Sequence, residues 1–256
     1  MPTDLIWYIS CGLVAGMAGG FLGIGGGVLL VPLLTVAAGL SVHTAVPVSI
    51  TAVAAHSFAS SNIYLKQGRV DLELALPVVL LMTMGSVLGG YLHPIISPHW
   101  VELLLAAMMI YTALSLIFTG KRQDDGMFEG LKSRNYGISA ILAAAIGFLA
   151  GLIGVGGGEL LVPILYSLAR VPFKTARGTA LLIISFSAAA ASAVYFLEGA
   201  VEPRVLAPVL IGVIAGSQLG SFLGMRTPSS IARFVYIGVM AYLAYAMSAK
   251  GIEGFL

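Results

Sequence analysis

The chain has 256 residues, of which 59% are hydrophobic and only 9% charged, and its net charge is +2. A soluble domain must leave roughly half of its surface polar toward water, so this composition excludes a soluble globular protein. The near-neutral balance and the absence of a basic cluster exclude a nucleic-acid partner. The single cysteine excludes an internal disulfide or a C-x-x-C redox pair.

Apolar segments near bilayer length recur from end to end, which predicts an all-α integral membrane protein. A membrane β-barrel would show short alternating segments and more polar residues. The start, MPTDLIWYIS, has Asp4 and no Lys or Arg, so it lacks the positive region of a signal peptide and is read as the first mature segment. In chain order the predicted segments are 5–22, 27–40, 44–65, 72–92 and 100–118. After a polar stretch come 136–153, 158–170, 175–197, 204–223 and 229–248. The second segment of each set is short: about 13 residues cover only ~20 Å of a ~30 Å hydrocarbon core. It is read as a half-helix or as the return arm of a re-entrant hairpin.

The two sets are copies. Residues 16–34, GMAGGFLGIGGGVLLVPLL, recur without a gap as residues 147–165, GFLAGLIGVGGGELLVPIL, at an offset of 131. The register continues through Thr44–Ala45 with Thr175–Ala176, Tyr64 with Tyr195, Pro77 with Pro208, Gly85–Ser86 with Gly216–Ser217, and Gly89 with Gly220. Three units follow: a first membrane repeat at 1–118, a cytoplasmic linker at 119–135 and a second repeat at 136–256.

Five segments per copy is an odd number, so the second copy is predicted to be inverted relative to the first. Charge supports this. Alternating sides puts Lys66, Arg69, Lys121, Arg122, Lys132, Arg134, Arg170, Lys174, Arg177, Arg226 and Arg233 together, and only Arg204 and Lys250 opposite. By the positive-inside rule the richer side is cytoplasmic, which places both termini outside.

Consecutive glycines cost a helix about 1 kcal/mol each relative to alanine. Gly25, Gly26 and Gly27, and Gly156, Gly157 and Gly158, therefore predict two helix breaks, each followed by a new helix at Val28 or Glu159. A helix start presents unpaired N–H groups and partial positive charge, which suits an anion. The outer glycines, Gly16 and Gly20 among them, have the small-xxx-small spacing of close helix packing. No strand precedes the breaks and no lysine follows, so they are not nucleotide loops.

Ionisable residues inside apolar segments are functional candidates. His56, opposite Ser187 in the repeat, is a candidate proton carrier or a fixed interhelical bonder. Glu159, opposite Val28, is a candidate coupling group: ionised, it competes with an anion for the same helix end; protonated, it does not. Its structural alternative is a capping carboxylate. Arg177 is placed at the cytoplasmic mouth, as an anion attractor or an interface marker. Thr51, Ser57, Ser60, Ser61 and Asn62, with Ser185, Ser187 and Ser192, line a pathway or join helices. Gln218 is a weaker candidate. His43, His93 and His99 fall on the outer side and are scattered. Cys11, unmatched in the second copy, is read as a core residue. No metal-ligand spacing occurs, and no cofactor is expected.

The paired motifs GFLGIGGGVLLVPLL and GLIGVGGGELLVPIL resemble those of the TauE/SafE sulfite exporter family, and the resemblance covers nearly the whole chain. It implies a carrier of small sulfur-containing anions, with Gly25, Gly26, Gly27 and Pro32, and Gly156, Gly157, Gly158 and Pro163, as the motif residues; the two prolines are read as helix-break or gating positions. The resulting expectation is a secondary transporter exporting sulfite or an organosulfonate across the inner membrane. A passive anion channel, a membrane enzyme and a non-transporting scaffold are the rivals. The expected partners are the anion and the lipid bilayer, and self-association stays open.

Overall fold

The computed structural model describes residues 2–22, 26–119, 136–169, 171–224 and 229–253. Gly25 and the linker from residue 120 to 135 lie outside them. The described residues form α1 (Pro2–Leu22), α2 (Gly27–Pro32), α3 (Val42–Lys66), α4 (Leu72–Leu92), α5 (Pro98–Thr119), α6 (Tyr136–Ile153), α7 (Gly158–Ser167), α8 (Phe173–Leu197), α9 (Pro203–Gly224) and α10 (Ser229–Glu253). A π-helical stretch, Leu33–Ala37, continues α2, and a 3-10 turn, His93–Ile95, continues α4. Every predicted apolar segment is helical, and no strand occurs among the described residues.

The chain is an all-helical membrane protein. Four helices are long and apolar enough to cross a bilayer: Val42–Lys66, Leu72–Ile95, Lys174–Leu197 and Pro203–Gly220. On α4, Leu76, Leu80, Met84 and Leu88 form an exposed apolar stripe at i+4 spacing, while Leu74, Val78, Met82, Gly85 and Gly89 are buried. Such an exposed apolar face is what lipid solvates, and the opposite face is what the protein packs.

Glycine sets the helix seams. In lipid there is little hydrophobic drive between helices, so close backbone approach supplies the packing energy. On α6, a methyl placed on Gly147 would strike the carbonyl of Met82 on α4, and one on Gly151 the carbonyl of Ser86. From the other side, a methyl on Gly85 would strike the Ala144 carbonyl, and one on Gly89 the Phe148 carbonyl. The α1–α9 seam repeats this: Gly16 abuts Val213, Gly216 abuts Leu13, and Gly220 abuts Met17. Three of the contacts map onto one another at the 131-residue offset: Gly147–Met82 onto Gly16–Val213, Gly85–Ala144 onto Gly216–Leu13, and Gly89–Phe148 onto Gly220–Met17. The first helix of each half therefore packs against the fourth helix of the other half, and the two helices of each seam run in the same direction.

The third helices of the two halves pack against each other in opposite directions. Thr51 and Ser192 hydroxyls hydrogen-bond at 2.7 Å, and the rings of Phe58 and Phe186 stack edge-on at 5.6 Å. Position rises along α3 as it falls along α8. Around this central pair lie the two glycine breaks. Cys11 is buried on α1, and its Sγ donates weakly to the Leu33 carbonyl at 3.6 Å, so it is a packing residue.

Candidate glycine-break site

Each short helix begins on a left-handed glycine. Gly26 caps α2 with φ 67°, and Gly157 caps α7 with φ 78°. An L-residue pays roughly 1–2 kcal/mol for that conformation, and glycine does not. No side chain caps either helix. The α7 ladder opens with the Leu160 and Leu161 N–H groups on the Gly157 carbonyl, at 3.2 and 3.0 Å. The N–H groups of Gly158 and Glu159 precede that ladder, and these are the donors a helix start offers to an anion.

The two breaks touch. Gly27 lies against the Val155 carbonyl, and the side chain of Val53 is the next atom a methyl there would meet, at 2.7 Å. A methyl on Gly156 would meet Val53 at 2.6 Å and Ile184 at 3.4 Å. Val53 and Ile184 are repeat equivalents midway along α3 and α8. Each capping glycine folds back on its own preceding helix: Gly26 onto Ala15 and Gly19, and Gly157 onto Ile146 and Ala150. These positions too are related by the offset.

α6 lies beside α4 to that helix's end, where His93 reaches the Leu152 carbonyl at 2.7 Å. The chain then turns back. Ser49 Oγ donates to the Gly154 carbonyl at 2.8 Å, and Gly157 returns to the level of Met82. α7 thus starts midway along the bundle, and its ten residues cover about 15 Å, half of a bilayer core.

Around the first break, Ala15, Gly16, Gly26, Gly27, Leu30, Ala52, Val53 and Val213 line a small apolar cavity of about 10 Å³. That holds about one water, so the breaks are closed over each other in this conformation.

Glu159 begins α7 at 4% exposure, and neither carboxyl oxygen has a hydrogen-bond partner. Buried charges are ordinarily paired. His56 sits on the face of α3 that carries Ser49 and Val53, three residues beyond Val53, buried and with Nδ1 unpartnered. Arg177 is half-buried in the first turns of α8, seven residues or about two turns from Ile184, and so stands away from the contact of the breaks. Pro163 is accommodated within α7, whereas at Pro32 the α-helix passes into the π-helical stretch, with Thr35 Oγ1 donating to the Pro32 carbonyl at 3.1 Å. Thr51 and Ser192 join helices, Ser86 Oγ donates to the Ser187 carbonyl at 3.0 Å, and Asn62 and Gln218 are exposed.

One expectation is corrected. His43 and His93 are not scattered: His43 Nδ1 and His93 Nε2 are 3.0 Å apart. His43 stands in the first turn of α3 and His93 in the 3-10 turn after α4, and no local sequence signal links them. Among the described residues no cluster of three or more His, Cys, Asp or Glu is placed to hold a metal.

The family model described as "Sulfite exporter TauE/SafE" matches residues 8–247. "Probable membrane transporter protein YunE" of Bacillus subtilis is 26% identical, over 93% of this chain and 96% of that protein. A "Probable membrane transporter protein" of Xylella fastidiosa is 28% identical, over 89% of this chain and 87% of its own length. "Probable membrane transporter protein MamO" of Paramagnetospirillum magneticum is 24% identical over 96% of this chain, which spans 44% of that larger protein. No solved structure matches.

Proposed function

This chain belongs to the sulfite exporter TauE/SafE family of membrane transporters, and on that premise we propose that it is a secondary transporter exporting a small sulfur-containing oxyanion, sulfite or an organosulfonate, by alternating access. The observation that carries the reading is the meeting of the two glycine breaks midway along α3 and α8. Two helix starts brought to one point supply backbone N–H donors and partial positive charge where lipid supplies none. Glycine keeps the walls free of side chains, so a compact oxyanion can approach the backbone.

The halves are an inverted repeat, supported by the antiparallel packing of the equivalent helices α3 and α8 and by the charge split between loops. Both termini then lie outside, the linker is cytoplasmic, and the protein sits in the cytoplasmic membrane. The seams α1–α9 and α4–α6 each join helices from both halves and move as rigid units, while α2 and α7 gate the centre. The smallness of the cavity beside the breaks, room for about one water, supports a carrier over a standing pore. An anion leaving a negative-inside cell gains about 2.3 kcal/mol per charge per 100 mV, so the membrane potential favours export and a proton gradient adds to it. Glu159 and His56 are the groups placed to couple protons, and Arg177 attracts the anion at the cytoplasmic end.

The test is flux of sulfite, sulfate and sulfonates in proteoliposomes at set potential and pH. Sulfite flux with counterflow supports the reading; conductive flux without counterflow replaces it with a channel.

A further inference from the structure

The second glycine break carries fastenings from residues that the sequence does not repeat at the first. An α-helix leaves its last carbonyls without intrahelical donors. At the end of α6, Tyr195 Oη donates to the Gly151 carbonyl at 2.7 Å, His93 Nδ1 lies 2.7 Å from the Leu152 carbonyl, and Ser49 holds the Gly154 carbonyl at 2.8 Å. At the offset positions of the other half stand Tyr64, Gly224 and Ala180, so only the tyrosine is repeated. His43 corresponds to Lys174. The outer end of the break is thus fastened by groups that the cytoplasmic end does not have.

The hydrogen-bond directions follow from chemistry. A carbonyl only accepts, so His93 Nδ1 carries the hydrogen and donates to Leu152. In the neutral ring His93 Nε2 is then bare, and His43 Nδ1–H, 3.0 Å away, donates to it. The chain of bonds runs from the first turn of α3, through the turn after α4, to the last turn of α6. One added proton is accommodated: it sits between the rings on His93 Nε2, and His43 accepts it after moving its own hydrogen to Nε2. A second proton makes both facing nitrogens donors on two cationic rings, and the bond between them is lost.

The surroundings do not compensate a second charge. α6 carries no ionisable side chain from Gly137 to Ile153. From α8, Tyr195 packs edge-on to His93 at 5.6 Å, and the charge of Glu198 acts on Tyr195. On α5, Glu102 interacts with His99 and Lys250. His43 is half-buried, so protons reach the pair from its open side, while His93 is buried at 2% exposure.

We propose that His43 and His93 form a proton-operated latch on the outer end of the second glycine break. With at most one proton the two rings stay tied, and α3 is fastened through them to the end of α6; with two, the rings repel, half-buried His43 swings to its open side while His93 keeps its bond to Leu152, and the outer mouth opens between α3 and α6. This rests on the reading of the breaks as the transport path, but its test needs no substrate, so the two can fail separately.

Val155 lies inside the break at 1% exposure. A Val155→Cys variant in a Cys11→Ala background reports its opening to a membrane-impermeant thiosulfonate added from outside, with each rate divided by that of an exposed thiol peptide at the same pH. The latch predicts a normalised rate that stays low from about pH 8 to about pH 6 and rises about tenfold or more as external pH falls on to about 4, because the second proton on a facing pair binds below the ordinary histidine range. His93→Asn keeps a donor toward Leu152 and takes no proton, so its rate stays slow throughout. His43→Phe leaves a single ring, which accommodates its proton, and its rate is flat. A flat parent, or the same rise in both variants, overturns the latch. Nitrogen NMR of the histidines in the otherwise unaltered protein checks the geometry independently: a hydrogen on His93 Nδ1 at about pH 8 is expected, and the opposite tautomer overturns it.

Discussion

Gly27 lies against the carbonyl of Val155, so the glycine break of one half closes directly on the break of the other. Nothing larger than hydrogen fits at Gly27, because the carbonyl and the Val53 side chain leave no room for a methyl. Gly27→Ala should therefore hold the breaks apart and reduce transport at least tenfold, with the protein still inserted. Flux per mole of membrane-inserted protein checks this; unchanged flux would show that the contact is not used.

The seams should respond as equivalents. Gly85→Ala and Gly216→Ala each drive a methyl into a backbone carbonyl, of Ala144 and Leu13 respectively. Overpacking of this kind costs about 1–3 kcal/mol. Both variants should unfold in detergent at lower temperature, by similar amounts, while Gly238→Ala, which meets nothing within 4 Å, should not. A large effect at one seam and none at the other would contradict the shared packing.

Thr51 and Ser192 supply the polar bond between the two central helices, at 2.7 Å. Interhelical hydrogen bonds in membranes average about 0.6 kcal/mol by double-mutant cycle. A cycle of Thr51→Val and Ser192→Ala should return a coupling of about that size. A coupling of zero would mean that the hydroxyls bond elsewhere.

His56 is buried on the face of α3 that meets the breaks, with Nδ1 unpartnered. If it carries the coupled proton, His56→Ala should flatten the pH profile of transport while leaving sulfite binding within a few-fold. With external pH held at about 8, where the His43–His93 pair stays tied, a dependence on internal pH that keeps its shape removes His56 from coupling and leaves Glu159, tested in the same way by Glu159→Gln.

The helices were legible because membrane segments announce themselves by length and apolarity, and the breaks because three adjacent glycines oppose a helix. The duplication also foretold that Gly16 and Gly147, or Gly85 and Gly216, would play equal parts. The partner of each was not legible. That α1 seats on α9 and α6 on α4 is a choice among helices with similar small residues, decided by the three-dimensional exchange between halves. The pairing of His43 with His93 was hidden for a related reason: the two residues stand 50 positions apart, on turns that only the packed bundle brings together. Glu159 could be marked as a candidate from its place in an apolar segment, but its complete burial at the start of α7 depends on the surrounding packing.

The most direct measurement of the central claim is counterflow of radiolabelled sulfite in proteoliposomes, comparing the parent with Gly26→Leu and Gly157→Leu. Each substitution puts a bulky side chain on a left-handed capping position, φ 67° or 78°, where one break folds onto its own helix. If the two breaks form one anion site, the parent exchanges sulfite and each single variant abolishes exchange while remaining inserted. Full exchange in either variant, or a parent that does not exchange sulfite or any sulfonate, would contradict the account.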